Sequence, residues 1–411
     1  MSMRTVEEQL AIVLAEAAPL SAERVALSAA AGRTTAAPVH AGVDIPVFEN
    51  SAMDGFAVRF ADVRAATDAE PSRLRVIADL PAGTALDPDL RPGEAARIMT
   101  GSPVPTAADT IVPFEHTAGG LDDSLGDIAV LVAPTASGAH VRRRAADLSA
   151  GDVVIGAGVL LGPLQIAAVA AAGVGEVEVT RVPRVAVVST GDELVAPGLP
   201  LRRGQIPESN SILLAGLAAA AGAEVVLRAS VDDTDTSLLE VLRDAHVAGA
   251  DVVITSGGVS AGAYEVVKNA LSGDIAFPKV AMQPGKPQGF GRLAAGPLLF
   301  ALPGNPVSSA VSFEVFVRPA LLRMLGRTEL HRDIIRLPAA TGWRTPPGRR
   351  QYLPAAIDRS DAAAWRVGPA TAGGSGSHLA GGLAHAEAYA VVPAEVEEVR
   401  EGDLVDVMLI S

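Results

Sequence analysis

The sequence predicts a multi-domain chain of α/β plus β class. A doubly wound α/β unit fills residues 181–328, a β-rich unit is inserted ahead of it, and a small β-barrel follows it. Three observations predict this. From residue 183 apolar strand patterns alternate with helical ones, the arrangement that buries a parallel sheet between two helix layers. Residues 73–135 and 330–411 read instead as short strands broken by Pro/Gly turns. The chain has 411 residues, room for several cores at roughly 150 residues each.

The elements follow in order. Thr5-Val6-Glu7-Glu8 has the Thr-x-x-Glu form of a capping box, so a helix is predicted from residue 6, with Val6, Leu10, Val13 and Ala17 at helical spacing. Residues 44–60, "DIPVFENSAMDGFAVRF", read as a loop entering a strand, and "RLRVIADLPAG", "GEAARIMTGSPVP" and "DTIVPFE" as strands with turns. "HVRRRAADLSAGD" is charged, and "LGPLQIAAVAAAG" is a helix with Pro163 near its first turn. The predicted division is a discontinuous N-terminal helical and linking domain (1–43 and 141–180), an inserted β-rich domain (44–140), the α/β domain (181–328) and a C-terminal barrel (329–411). Within the α/β domain the strands are "RVAVVST", "AEVVLRAS", "DVVITSGG" and "PLLFALPGNP". The helices are "SNSILLAGLAAAAG", "TDTSLLEVLRDAHV", one through Lys268, and the long "VSSAVSFEVFVRPALLRML".

Composition narrows the function. Hydrophobic residues make up 49% but aromatics only 3%, so the cores are built from Ala, Val, Leu and Ile. With 33 basic against 47 acidic residues the formal charge is −14, which argues against broad nucleic-acid or anionic-membrane binding. There is no cysteine, hence no disulfide framework, zinc ribbon or thiolate catalysis. The charged N-terminus has no apolar signal core, and no apolar run reaches the length of a membrane span. A reduced, cytoplasmic, soluble protein is expected.

Three strands of the α/β unit end in unusual loops: Ser189-Thr190-Gly191-Asp192-Glu193, Ser256-Gly257-Gly258-Val259-Ser260 and Pro303-Gly304-Asn305-Pro306. Strands lying side by side would gather them at the carboxyl edge, where such sheets bind ligands. Asn305 suits an N-cap and Pro306 the first helical position. Glycines let backbone amides approach a ligand, and Lys279 and Lys286 add positive charge. Glu193 and the pair Asp232-Asp233 add carboxylates, which beside phosphates suit a bridging magnesium. None of the seven histidines lies in these loops, and neither a Walker loop nor a G-x-S-x-G elbow occurs. Phosphoryl or pyrophosphate chemistry is therefore favoured over acyl transfer. Taken singly, each feature is as readily a turn, a helix cap or a solvated charge; their convergence carries the reading.

The chain resembles the molybdopterin molybdenumtransferases over essentially its whole length. The resemblance is carried by "NSAMDGFAVR" (50–59), "RIMTGSPVP" (97–105), "VRRRAADL" (141–148), "STGDEL" (189–194), "TSGGVSAG" (255–262), "PGKPQGFG" (284–291), "LPGNPVSS" (302–309) and "GSGSH" (374–378). It implies an elongated, four-domain homodimer whose α/β unit is similar to molybdopterin adenylyltransferase. The implied substrates are molybdate and adenylylated molybdopterin, with magnesium-dependent pyrophosphate cleavage and release of AMP. A separate molybdopterin adenylyltransferase is an implied partner. By the same resemblance Asp54, Thr100, Asp147, Glu193 and Asp232 match catalytic positions, with Asp54 and Asp147 reaching a cleft at the dimer interface. Lys279 and Lys286 match positions that offset phosphate or molybdate charge, Pro303 and Pro306 shape a loop, and Ser377 matches a serine near the pterin end. Glu193, Asp232 and Glu265 are the implied metal ligands; Ser256, Gly257, Gly258, Ser260 and Asn305 complete the expected substrate site. Two departures stand out: Gln283 where many relatives carry lysine, and Glu265-Val266-Val267-Lys268 where many carry Asp-Tyr-x-Lys. The rival readings are the adenylyltransferase itself, which lacks the flanking domains, and a gephyrin-like receptor-clustering scaffold. The retained acids and the lack of a long linker weigh against the scaffold.

Overall fold

The computed structural model describes residues 3–122, 124–259, 266–271, 273, 275–294, 296–371 and 380–410. Its centre is a five-stranded sheet in the order Glu224–Val231, Arg184–Thr190, Val252–Ser256, Leu298–Leu302, Gly289–Arg292. The first four strands run parallel and the last is antiparallel. That Gly-rich edge strand gives little pattern in the sequence.

Strand alternation sorts the side chains onto two faces. Val185, Val187, Val252 and Ile254 share one core with Leu214 and Ala218 of the helix Asn210–Ala220. Ala186, Val188 and Val253 share another with Leu238, Val241 and Ala245 of the helix Asp235–Val247. The sheet is thus covered on both faces, which is why its strands read as continuous apolar runs.

The predicted long helix runs from Pro306 to Met324, but not uniformly. Pro306–Ser312 and Arg318–Met324 are α-helical, and Phe313–Val317 is a π turn between them. Pro319 has no N–H for residue 315, so the ladder must change register just ahead of it.

At the N-terminus Thr5 and Glu8 close the capping box reciprocally, with Glu8 N donating to Thr5 Oγ1 at 3.1 Å and Thr5 N to Glu8 Oε2 at 2.9 Å. The helix Val6–Glu16 buries Val6 and Val13 in the core that also holds Val185, Phe313 and Met324. The segments on either side of residues 44–140 do meet. Ala22–Ala26 pairs with Glu176–Thr180, and Val39–His40 with Val153–Ile155, around Leu27, Leu161 and Val169. Between them stands a second five-stranded sheet, in the order Thr110–Pro113, Gly55–Val58, Glu94–Ile98, Ser72–Leu80, Asp127–Val130.

The C-terminal sheet runs Met282–Gln283, Arg350–Asp358, Ala388–Val392, Leu404–Leu409, Ile334–Pro338, with Arg366–Pro369 also paired to Arg350–Asp358. The parallel bridge Ala339↔Val367 brings its two ends together. The pair Met282–Gln283 comes from the central unit, so the chain there is stitched into the C-terminal sheet. Among the described residues no helix is long and apolar enough to cross a membrane.

Candidate functional site

The parallel register places the strand ends level. Ser189 pairs with Ser256 and Ser256 with Leu302, so the three loops predicted to cluster do start side by side. They surround a cavity of about 950 Å³. Gly257 and Gly258 take φ of 102° and 64°, a region that favours glycine. At Gly257 there is also no room: a Cβ would lie 2.6 Å from the Thr190 carbonyl oxygen. Gly304 rests against Gly257, 3.5 Å from the position of its would-be Cβ to the Gly257 Cα. Asn305 stands at the N-cap position of the helix Pro306–Ser312 in an extended conformation, with Pro306 at the first position.

Of the residues singled out in the sequence, Glu193, Ser256, Gly257, Gly258, Lys286, Pro303, Asn305 and Pro306 line this cavity together. Lys279 lies in a smaller adjoining cavity of about 280 Å³, with Lys268. Lys286, Val259 and Pro287 belong to both walls. Two adjoining chambers therefore share one lysine, and the second holds three lysines.

The acids divide differently. Asp233, not Asp232, lines the main cavity. Burial raises the Asp233 carboxyl above its ordinary range, and repulsion from Asp192 and Glu193 adds to the shift. Asp232 is exposed and accepts a hydrogen bond from Thr234 Oγ1 at 2.8 Å, beside the cap of the helix Asp235–Val247. Hydrogen bonds from Ser237 and Thr234 lower its pKa. Among the described residues no three acidic or histidine side chains converge as a metal-ligating group. Magnesium at a phosphate needs only one or two carboxylates. The crowding of Asp192 and Glu193 against Asp233 is the kind of like-charge contact a divalent cation relieves.

Asp54, Thr100 and Asp147 are not among the residues lining this cavity. Asp54 and Thr100 form a unit: the Thr100 backbone N–H and hydroxyl both donate to Asp54 Oδ1, at 2.7 and 2.8 Å. The backbone bond, then the hydroxyl, hold the Asp54 carboxyl below its usual range. Asp147 is exposed, and its backbone N–H donates to Ile45 O at 2.9 Å. In the neighbouring arginine run Arg143 pairs with Glu49, and Arg144 with Asp44. Ser260, Glu265 and Ser377 lie outside the described residues.

Sequence reasoning missed several residues. Gln283 stands out in the sequence only for the lysine that many relatives carry there; it lines the cavity and accepts a hydrogen bond from Arg349 Nη1 at 2.7 Å, a partner the sequence did not offer. A guanidinium from the C-terminal segment thus stands beside the missing lysine position. Glu208, Asn210 and Thr190 also line the cavity and are buried. A buried acid within "PESNS" gives no pattern of its own, since loop carboxylates are ordinarily solvated.

Three family models match the chain. A molybdenumtransferase-type N-terminal region, described as MoeA N-terminal region (domain I and II), matches residues 4–173. A probable molybdopterin binding domain matches 186–323, and a MoeA C-terminal region (domain IV) matches 336–410. The chain is 43% identical to molybdopterin molybdenumtransferase 2 of Mycobacterium tuberculosis, covering 97% of this chain and 98% of that one. It is 35% identical to molybdopterin molybdenumtransferase 1 of the same organism, over 100% and 99%. The crystal structure of a molybdopterin biosynthesis MoeA protein from Pyrococcus horikosii superposes with a TM-score of 0.83 at 31% identity, covering 99% of each chain.

Proposed function

The chain belongs to the molybdopterin molybdenumtransferase family, and from that premise we propose how its cavity works. It is a transferase of molybdenum cofactor biosynthesis that inserts molybdenum into molybdopterin. We read its substrate as adenylylated molybdopterin, with the pyrophosphate in the main cavity and molybdate as the second substrate. The observation that carries this reading is the arrangement at the sheet edge. Lys286, the Gly257-Gly258 loop and the acids Glu193 and Asp233 line one cavity.

Each residue then has a task. The loop amides and Lys286 bind the phosphate oxygens, since charge-assisted donors suit an oxyanion. Lys279 and Lys268 add positive charge in the adjoining chamber, which suits molybdate. Pro303, Asn305 and Pro306 hold their loop against Gly257. Glu193 and Asp233 would hold a magnesium ion, with Asp232 fixing the chain beside them. Such an ion would neutralise charge on the bridging phosphate as it leaves with AMP.

We read the protein as a cytoplasmic homodimer in which Asp54, Thr100 and Asp147 complete the cavity of the second copy. It works downstream of a separate molybdopterin adenylyltransferase. On this reading the chain divides at residues 44, 141, 181 and 329, and the C-terminal segment is a small barrel, to which the Ala339↔Val367 bridge lends support. The test is to incubate the protein with adenylylated molybdopterin, molybdate and magnesium and to follow AMP. Molybdate-dependent release is expected; no release from a folded protein would overturn the reading.

A further inference from the structure

We propose that Glu208, Asn210 and Ser256, with Thr190, form a hydrogen-bond acceptor wall in the main cavity, and that this wall takes the donor-bearing edge of a ring of the substrate. The proposal rests on the reading of the cavity as a molybdopterin-nucleotide site. All four residues line it. They are more than nine-tenths buried: Thr190 is 5% exposed, Glu208 6%, Asn210 9% and Ser256 1%.

The acceptor character follows from counting hydrogens. Glu208 accepts from Ser211 N at 2.7 Å, Ser211 Oγ at 2.6 Å and Ser189 Oγ at 2.8 Å. A serine hydroxyl has one hydrogen, so Ser189 has none left. Ser189 Oγ and Ser256 Oγ are 3.1 Å apart, and the hydrogen between them must come from Ser256. Ser256 therefore has only lone pairs to offer the cavity. Asn210 is fixed in the same sense. Its Nδ2 donates to Gly304 O at 2.6 Å, which sets the amide orientation, and its Oδ1 is buried with no partner. The hydroxyl of Thr190 is likewise buried and unpartnered, and can serve in either role.

Buried acceptors are ordinarily paired, and those left open at a cavity await a donor. Phosphate and molybdate oxygens are acceptors too, so this wall repels them and Lys286 attracts them. The cavity thus orients its ligand: oxyanion toward Lys286 and the glycine loop, ring N–H and amino groups toward Asn210 and Ser256. Two rings of the substrate carry such an edge, the pterin through its amino and ring N–H groups and adenine through its amino group.

The experiment measures Kd by calorimetry for two matched pairs, AMP against IMP and pterin against lumazine. In each pair an amino group is exchanged for an oxo group. The full-length protein is expected to bind the amino form of at least one pair roughly tenfold more tightly, because the oxo form sets acceptor against acceptor. That pair identifies the ring. Asn210→Ala should abolish the preference. Ser189→Ala, which leaves Ser256 in place but frees it to donate, should reduce it roughly threefold. Circular dichroism establishes that both variants fold. Equal affinity within both pairs, or a preference unchanged in both variants, overturns the acceptor wall; if AMP still binds and Lys286→Ala still weakens it, the phosphate-site reading survives. Failure of all four ligands to bind the wild-type protein overturns both.

Discussion

Replacing Gly257 by alanine tests the geometry of the site at its tightest point. Gly257 has φ of 102°, which an L side chain rarely adopts, and the strain costs about 1–3 kcal/mol. The added Cβ would lie 2.6 Å from Thr190 O and 2.8 Å from Thr190 Oγ1. One of these neighbours is backbone in a central strand, so it cannot swing aside, and overpacking adds about 1–3 kcal/mol. The total is at least about 2 kcal/mol, which lowers the melting transition of a unit of this size by about 4–8 °C. The loop must also shift by several tenths of an ångström, carrying its amides away from the ligand. Calorimetric scanning and AMP titration read the two effects separately. Gly304→Ala is the control. Its Cβ would meet Gly257 Cα at 3.5 Å, an ordinary contact, so its stability should stay within about 0.5 kcal/mol of wild type. A Gly257→Ala protein with unchanged melting and unchanged AMP affinity, or a Gly304→Ala protein damaged equally, would refute the reasoning.

Three further outcomes are expected. Lys286→Ala should weaken adenylylated substrate by about 1.5–3 kcal/mol, the loss of a charge-assisted hydrogen bond; an unaltered Kd would make Lys286 a solvated charge. The Asp54 carboxyl, lowered by Thr100, contributes stability above its unfolded pKa and loses it as the pH falls through the folded value, so the effect lies on the acid side of the carboxylate range. Thr100→Val should therefore raise the Asp54 pKa in a carbon-13 NMR titration, and an unmoved titration would sink the pairing. Asp54→Asn and Glu193→Gln proteins should each be inactive in AMP release, yet recover roughly a quarter of wild-type activity per subunit once mixed, dissociated and reassociated. Heterodimers demonstrated by mass but without activity would place both residues in a site formed by a single chain.

What the sequence made legible was local chemistry with a period or a cap. Thr5 and Glu8 stand at capping-box spacing and make the predicted bonds. The apolar runs of the parallel strands forced burial on both faces, and their common register brought the three loops level. Neighbours one residue apart were harder. Asp232 and Asp233 are indistinguishable as a pair, but adjacent side chains at a strand end point oppositely, and only Asp233 lines the cavity. Glu208 was invisible because one of its partners, Ser189, lies 19 residues away on a strand of the central sheet. Arg349 lies 66 residues from Gln283, so no local pattern joins them. The π turn ahead of Pro319 depends on how the helix relieves one lost hydrogen bond, which periodicity does not encode.

A chain of formal charge −14 that handles anions must keep its attraction local. Lys268, Lys279 and Lys286 concentrate cations in two adjoining chambers, while the long-range field repels the same ligands. Screening shortens that repulsion to about 8 Å at physiological salt, so the chambers govern once a ligand is at the mouth. The acids outside them then need a different account. Asp54 is exposed and held ionised by two bonds from Thr100, an arrangement that orients a carboxylate. Asp54, Thr100 and Asp147 are not among the residues lining that chain's cavity. A carboxylate kept charged beside a turn either serves the turn alone or faces a second copy of the chain. The mixed-subunit experiment separates the two, because a turn residue cannot be rescued by a wild-type turn in another subunit, whereas a residue of a shared site can.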